Sequence, residues 1–263
     1  MISSALIAVT NQKGGVGKTT TSVNLGAALA GLQETVLVID MDPQANATAG
    51  LGFDQEQIEA SIYDVLLKGA DPEDAIEPTP VRNLYLLPST RSLADATIEL
   101  VPLMAREQIL RNSLRTLDGQ YSYILIDCPP SLGLLTVNAL TAARYVLIPM
   151  QCEQYALDGL VELHRTIDMV RSALNPSLEL LGVLLTMLDN RTRLSREVSE
   201  QVKDHFGPAV FRSSIPRRVR LAEAASYGEP IDVFDHMNRG AIAYRRLAEE
   251  VHSRLQSRKV IHQ

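Results

Sequence analysis

The sequence predicts an α/β fold: a single doubly wound, mostly parallel sheet with helices on both faces. Three observations carry this. Short apolar runs alternate with longer helix-like stretches along the chain. The apolar runs are continuous rather than alternating, which suits strands covered on both sides. A glycine-rich turn follows the first run and opens into a helix, the context of a phosphate-cradling loop.

Residues 5–10 form the first run, and the glycine loop follows them. Residues 19–30 read as a helix rich in small side chains. Runs at 35–40 (TVLVID), 84–87, 123–127 (YILID), 145–149 (YVLIP) and 180–186 (LLGVLLT) are bounded by Gly, Pro or charge and read as strands. Helical stretches are expected at 101–118, 132–143, 155–174, 194–206, 217–226 and 240–257. The segment 41–82 is less regular, Pro- and Asp-rich from 71 to 80, and is expected at the sheet edge. No repeat, low-complexity tract or linker interrupts the sequence, so residues 1–263 read as one domain.

Composition excludes several classes. With 46% hydrophobic and 21% charged residues, a disordered chain is ruled out. Cys128 and Cys152 cannot build a disulfide framework and lack metal-site spacing, which fits a reducing cytosol. His164, His205, His236, His252 and His262 are scattered and suggest no metal site. No basic stretch precedes the first apolar run, so no secretory leader is expected. No apolar run approaches the roughly 18 residues of a membrane span. Leu255, Val260 and Ile261 make too weak a stripe for a membrane-surface helix.

A formal net charge of −6 argues against a constitutive nucleic-acid binder. The average conceals an asymmetry. Residues 1–185 carry 11 basic and 21 acidic side chains, whereas residues 186–263 carry 14 and 10. Either an anion-facing surface lies near the C-terminus, or helix faces there are simply charged.

Residues 11–20 read Asn-Gln-Lys-Gly-Gly-Val-Gly-Lys-Thr-Thr. Inward-pointing backbone N–H groups and the positive end of a helix bind phosphate in such a turn. Gly14, Gly15 and Gly17, with Val16 between them, let the main chain approach the phosphates. Lys18 reaches the β- and γ-phosphates, the Thr19 hydroxyl can ligate Mg²⁺, and Thr20 completes the nucleotide-binding set. Lys13 adds a second compact charge; it is one of only five lysines in the chain. Asp127 ends an apolar strand, where a carboxylate can hold a Mg²⁺-bound water. Asp42 lies just past the second strand, placed either to orient an attacking water or to form a turn before Pro43.

The stretch from Lys13 to Thr20 resembles the deviant Walker A motif of the ParA/MinD class of ATPases. Asp40-Met-Asp-Pro-Gln44 resembles the switch I segment of ParA/Soj partition proteins, with Ala45-Asn46 where Gly-Asn is usual. Asp127-Cys-Pro-Pro130 resembles Walker B and switch II. Ile215-Pro-Arg217 and Arg220-Leu-Ala-Glu-Ala224 resemble the late nucleotide- and DNA-facing segment. The matches span residues 9 to about 231.

This resemblance implies a P-loop NTPase-like fold and a slow ATPase that completes its site by dimerising around ATP and Mg²⁺. It implies that Lys13 reaches the partner's ATP, with Gly14 at the close interface. It makes Asp42 the residue most needed for hydrolysis, with Asp40 beside it and at the metal. Pro216 would lie against the adenine, with Arg218 where Asn is frequent. Arg191 and Arg220 would contact DNA backbone, joined by Arg193, Arg217 and Arg218; Arg196 is expected to pair with Glu200 instead.

The function implied is DNA segregation in the cytoplasm, on the nucleoid. An ATP homodimer would bind double-stranded DNA without sequence preference, and a ParB-type centromere-binding protein would stimulate hydrolysis and release. The alternative, a MinD-like membrane-surface positioning ATPase, shares the loop but calls for an amphipathic C-terminal anchor that is not legible. An electron-transfer iron protein would need a cluster cysteine, but Cys128 falls within the phosphate site and Cys152 stands alone. A metabolic ATP-dependent ligase would need a substrate pocket, and none is legible. With the loop at residue 11, no DNA-reading domain is expected before it, hence no operator-specific repression.

Overall fold

The period-two alternation of strand side chains divides the core into two layers, one on each face of a sheet. Leu37 and Ile39 pack with Ala8, Ile124, Ile126, Val146 and Ile148 on one face. Val36 and Val38 pack with Ile7, Val9, Leu125 and Leu147 on the other. This is why the runs read as uniformly apolar: both faces are covered. The computed structural model describes residues 4–153, 156–189 and 191–261. Tyr155, expected to open a helix, and His262 lie outside them.

The strands are β1 (Ala5–Val9), β2 (Val36–Asp40), β3 (Glu77–Pro78), β4 (Leu84–Leu87), β5 (Tyr123–Asp127), β6 (Tyr145–Gln151) and β7 (Glu179–Thr186). Their order is β3-β4-β2-β5-β1-β6-β7. All neighbours are parallel except the β3–β4 edge pair. The expected sheet is therefore present. Strand register places Asp127 beside Val9 on one side and beside Asp40 on the other. Two carboxylates thus arrive side by side at the carboxyl end of the sheet, where ligands bind in such folds.

Two expectations fail. The stretch 101–118 is not one helix. A helix at Leu93–Glu99 precedes it, and helical backbone resumes only at Arg106, running to Leu117 as three abutting pieces: a 3₁₀ turn (Arg106–Gln108), a short α-helix (Ile109–Ser113) and a second 3₁₀ turn (Leu114–Leu117). Pro102 has no N–H to continue a helix, and Ala105 adopts a left-handed φ of 51°. The segment 41–82 is only partly peripheral. Its end supplies edge strand β3, but residues 41–50 fold over the centre of the sheet end and form the short helix Asn46–Gly50.

Candidate active site

The loop after β1 turns into the helix Lys18–Gly31 through Gly15 and Gly17, at φ 75° and 86°. Side chains rarely adopt that conformation, so glycine sets the turn. A Cβ at Gly14 or Gly15 would meet nothing within 4 Å, so their backbone borders open space. That space is a cavity of about 440 Å³ lined by Gly14, Gly15, Gly17, Lys18, Thr19, Thr20 and Asp42, among others. The Thr186 hydroxyl donates to the Val16 carbonyl at 2.7 Å and ties the loop to the end of β7. Val16 itself faces away from the cavity, in the core.

Lys18 is buried, and its Nζ donates to the Lys13 carbonyl at 3.1 Å. Burial lowers its pKa, while Asp127 and Asp42 act the other way. Asp127 is fully buried and accepts from Thr19 Oγ1 and from Ser22 Oγ, each at 2.8 Å. Burial pushes its carboxyl pKa up, reinforced by the neighbouring Asp40 charge; the two hydroxyl donors oppose the shift. Ser22 was not foreseen. Its signal was available, since Thr19 and Ser22 stand three apart on one helix face.

Asp40 shapes the loop beside the cavity. It is fully buried and does not line the cavity. Its Oδ1 accepts the Asp42 N–H at 3.1 Å, and its Oδ2 accepts both the N–H and the hydroxyl of Thr48 at 2.8 Å. All its near donors belong to the 42–48 loop, so Asp40 holds that loop. Burial raises its pKa, against those hydrogen bonds.

Asp42 does line the cavity. One oxygen accepts the Gln44 N–H at 2.9 Å, and its carbonyl accepts the Ser89 hydroxyl at 2.8 Å. Among the described residues no hydrogen bond reaches its Oδ2, which leaves that oxygen able to orient a water. Thr48 and Ser89, which shape this loop, carried no sequence pattern.

Lys13 lies outside its own cavity. Its half-exposed side chain pairs with Glu153 at 2.6 Å. Pro216 lies beside the extension of β7. Residues 210–216 run parallel beside β7, with bridges Val183–Val210 and Leu188–Pro216. That path carries Pro216 to an adjoining cleft, while Met187, Ala225 and Glu229 line the far wall of the loop cavity.

Among the expected DNA arginines, Arg191 pairs with Asp189, Arg193 with Glu197, and Arg220 with Glu223 and Asp235. Arg217 and Arg218 are exposed and show no such pair among the described residues. The Arg196–Glu200 pair does not form; Arg193–Glu197 takes that place on the helix.

A family model described as an AAA domain matches residues 4–180. The sporulation initiation inhibitor protein Soj of Bacillus subtilis is 54% identical over 246 residues, covering 94% of this chain and 97% of that protein. A chromosome partitioning protein ParA of Myxococcus xanthus is 49% identical over 249 residues, covering 95% and 88%. The chain belongs to the ParA/Soj family of ATPases.

Solved structures agree with the fold of this ParA/Soj member. A Mycobacterium smegmatis structure described as cobyrinic acid a,c-diamide synthase, with bound ADP and magnesium, superposes with a TM-score of 0.85 at 40% identity, covering 97% and 96% of the two chains. The septum site-determining protein MinD of Pyrococcus horikoshii, complexed with Mg-ADP, gives 0.78 at 27% identity, covering 94% and 96%. Among the described residues no helix is long and apolar enough to cross a membrane.

Proposed function

We propose that this chain is an ATP-driven DNA-segregation switch. One observation carries the reading: Lys18 is buried inside the phosphate cavity, whereas Lys13 stands on its exposed rim, away from its own site. A lysine so placed can exchange its half-exposed Glu153 partner for a second copy's nucleotide. The ATP-bound chain then forms a sandwich dimer, with Gly14 near the interface.

The cavity fits a nucleotide triphosphate. Open backbone at Gly14, Gly15 and Gly17 meets the phosphates, and Lys18 supplies charge. Thr19 and, through water, Asp127 would hold Mg²⁺, which when bound neutralises phosphate charge. Asp42 orients the attacking water, and Asp40 positions Asp42 through the loop. Hydrolysis is weak until the dimer completes the site, and a ParB-type partner accelerates it.

Residues 1–263 act as one ATPase unit, with the basic part at 186–263 facing non-specific duplex DNA in the nucleoid. The MinD-like membrane reading shares the loop. The exposed arginines of the basic part that have no ion pair among the described residues, Arg217 and Arg218, favour DNA over it. A mobility-shift assay with ATP, with ADP and without nucleotide tests the switch. A shift with ATP alone is expected; equal shifts in all three would overturn it. Lys13→Ala should remain monomeric on size exclusion with ATP while keeping ATP affinity.

A further inference from the structure

Arginines in the basic third fall into two sets. Arg191 forks onto Asp189 through Nε and Nη2 at 2.8 and 2.7 Å. Arg193 and Arg220 are likewise held by carboxylates. Arg212, Arg239 and Arg246 are exposed, and among the described residues none has a carboxylate within ion-pair distance. These three converge on one cleft of about 590 Å³, together with Ser213, Ser214 and Pro216. No acidic side chain lines it.

The cleft is built by the fold. The Phe211 N–H donates to the Val183 carbonyl at 2.9 Å, and the Ile215 N–H to the Leu185 carbonyl at 2.8 Å. Residues 212–214 span these anchors and form one wall. The opposite wall is a single face of the helix Arg239–Ile261, where Arg239, Ile242, Ala243 and Arg246 follow the i, i+3, i+4, i+7 spacing. Glu250 lies behind the first wall and accepts the N–H groups of Arg212 and Ser213 at 2.9 Å, and Arg254 Nη2 at 2.9 Å. Its charge is thereby engaged from behind.

An arginine already forked onto a carboxylate must break that pair before meeting a phosphate. An unpaired one keeps its five donors available. Seven helical residues set Arg239 and Arg246 about 10 Å apart along the axis. Arg217 and Arg218 continue directly from Pro216 at the rim. Arginines strung along an open groove match a chain of phosphates better than one compact anion.

We propose that this cleft takes backbone phosphates of duplex DNA, with Arg212, Arg239 and Arg246 as contacts beyond those of Arg191, Arg193 and Arg220. This rests on the DNA-binding reading above. The test titrates the full chain, with ATP, onto two unrelated duplexes across a salt series. The Arg212→Ala, Arg239→Ala, Arg246→Ala triple variant should lower the slope of log affinity against log salt by about 0.9 per arginine, equally for both duplexes. The corresponding triple Lys variant should keep the slope, which a merely structural role would not predict. Arg239→Ala and Arg246→Ala alone should each remove about 0.9, so the result stands even if the triple variant folds poorly.

An unchanged slope in the Ala variants, with wild type binding DNA, would overturn the cleft assignment and leave the DNA reading intact. Wild type failing to bind DNA with ATP would overturn both. A second ATP-binding event in calorimetry, lost in the triple variant, would put free nucleotide in the cleft and overturn the assignment to DNA.

Discussion

Asp40 and Asp127 are fully buried at the sheet end, and both oxygens of each accept hydrogen bonds from fixed protein groups. Arg212, Arg239 and Arg246 lie exposed at the other functional surface, with no fixed partner among the described residues. The difference separates two uses of charge. Buried charge needs permanent partners, because an unpaired ion in the interior is costly, so it preorganises a loop. Exposed charge needs none and can exchange its partner with salt and ligand. Net charge sums the two and describes neither.

Asp42 is where the buried set opens to the cavity, and it gives the largest expected effect. Asp42→Ala should lower ATP hydrolysis by about 10²–10⁴, the range for a positioned proton-accepting group. ATP affinity should hold, and the ATP-bound dimer should persist on size exclusion. Phosphate release at the wild-type rate would mean that its open oxygen has no role. Lys18→Ala comes next. Losing a charge-assisted contact of about 1.5–3 kcal/mol should weaken ATP binding by roughly 10- to 150-fold in calorimetry. Undiminished affinity would place the phosphates elsewhere.

Much of the buried half was legible from sequence. The strands announced themselves through continuous apolarity, and the loop through glycines followed by Lys18 and Thr19. Asp127 was legible because it ends a strand. What Asp40 does was not. Its partner Thr48 stands eight residues on, and Ser89, which braces Thr48 and the Asp42 carbonyl, comes from a distant turn; no local period marks hydrogen bonds of that span. The exposed half was less legible. Sequence favoured Arg191 and Arg220 by motif, but pairing depends on which carboxylates fold alongside. Asp235 is fifteen residues from Arg220, and the cleft joins residue 212 to residue 246. Pro216 likewise has its neighbour far away in sequence, at Leu188 on the extension of β7.

Glu250 tests the border between the two uses. It is partly buried, yet it anchors the wall of the exposed cleft. Burial alone would raise its pKa, but the N–H groups of Arg212 and Ser213, with Arg254, hold it below the usual value. Glu250→Ala should reduce stability in chemical denaturation by about 1–2 kcal/mol, less than a fully buried ion would, because water can reach the freed N–H groups. DNA affinity should fall with it as residues 212–214 loosen. A stability loss with unchanged DNA binding would uncouple the wall from the groove.

Ala45 gives the smallest expected effect. It is buried and adopts φ 50° and ψ 39°, the left-handed region, where related switch segments usually carry glycine. That conformation disfavours an L-residue by about 1–2 kcal/mol. Its N–H donates to the Asp42 carbonyl at 2.8 Å, and Asp40 grips the loop on both sides of it, at Asp42 and Thr48. The buried carboxylate therefore sets the backbone, and the alanine follows. Ala45→Gly relieves the strain. It also loosens the unfolded chain by about 0.5–1 kcal/mol and removes a buried methyl worth about 0.8 kcal/mol. These terms nearly cancel, so the change in unfolding free energy should stay within about 0.5 kcal/mol, with ATP turnover close to wild type. A gain well above 1 kcal/mol would show that the methyl contributes little and that the loop stores strain Asp40 does not offset.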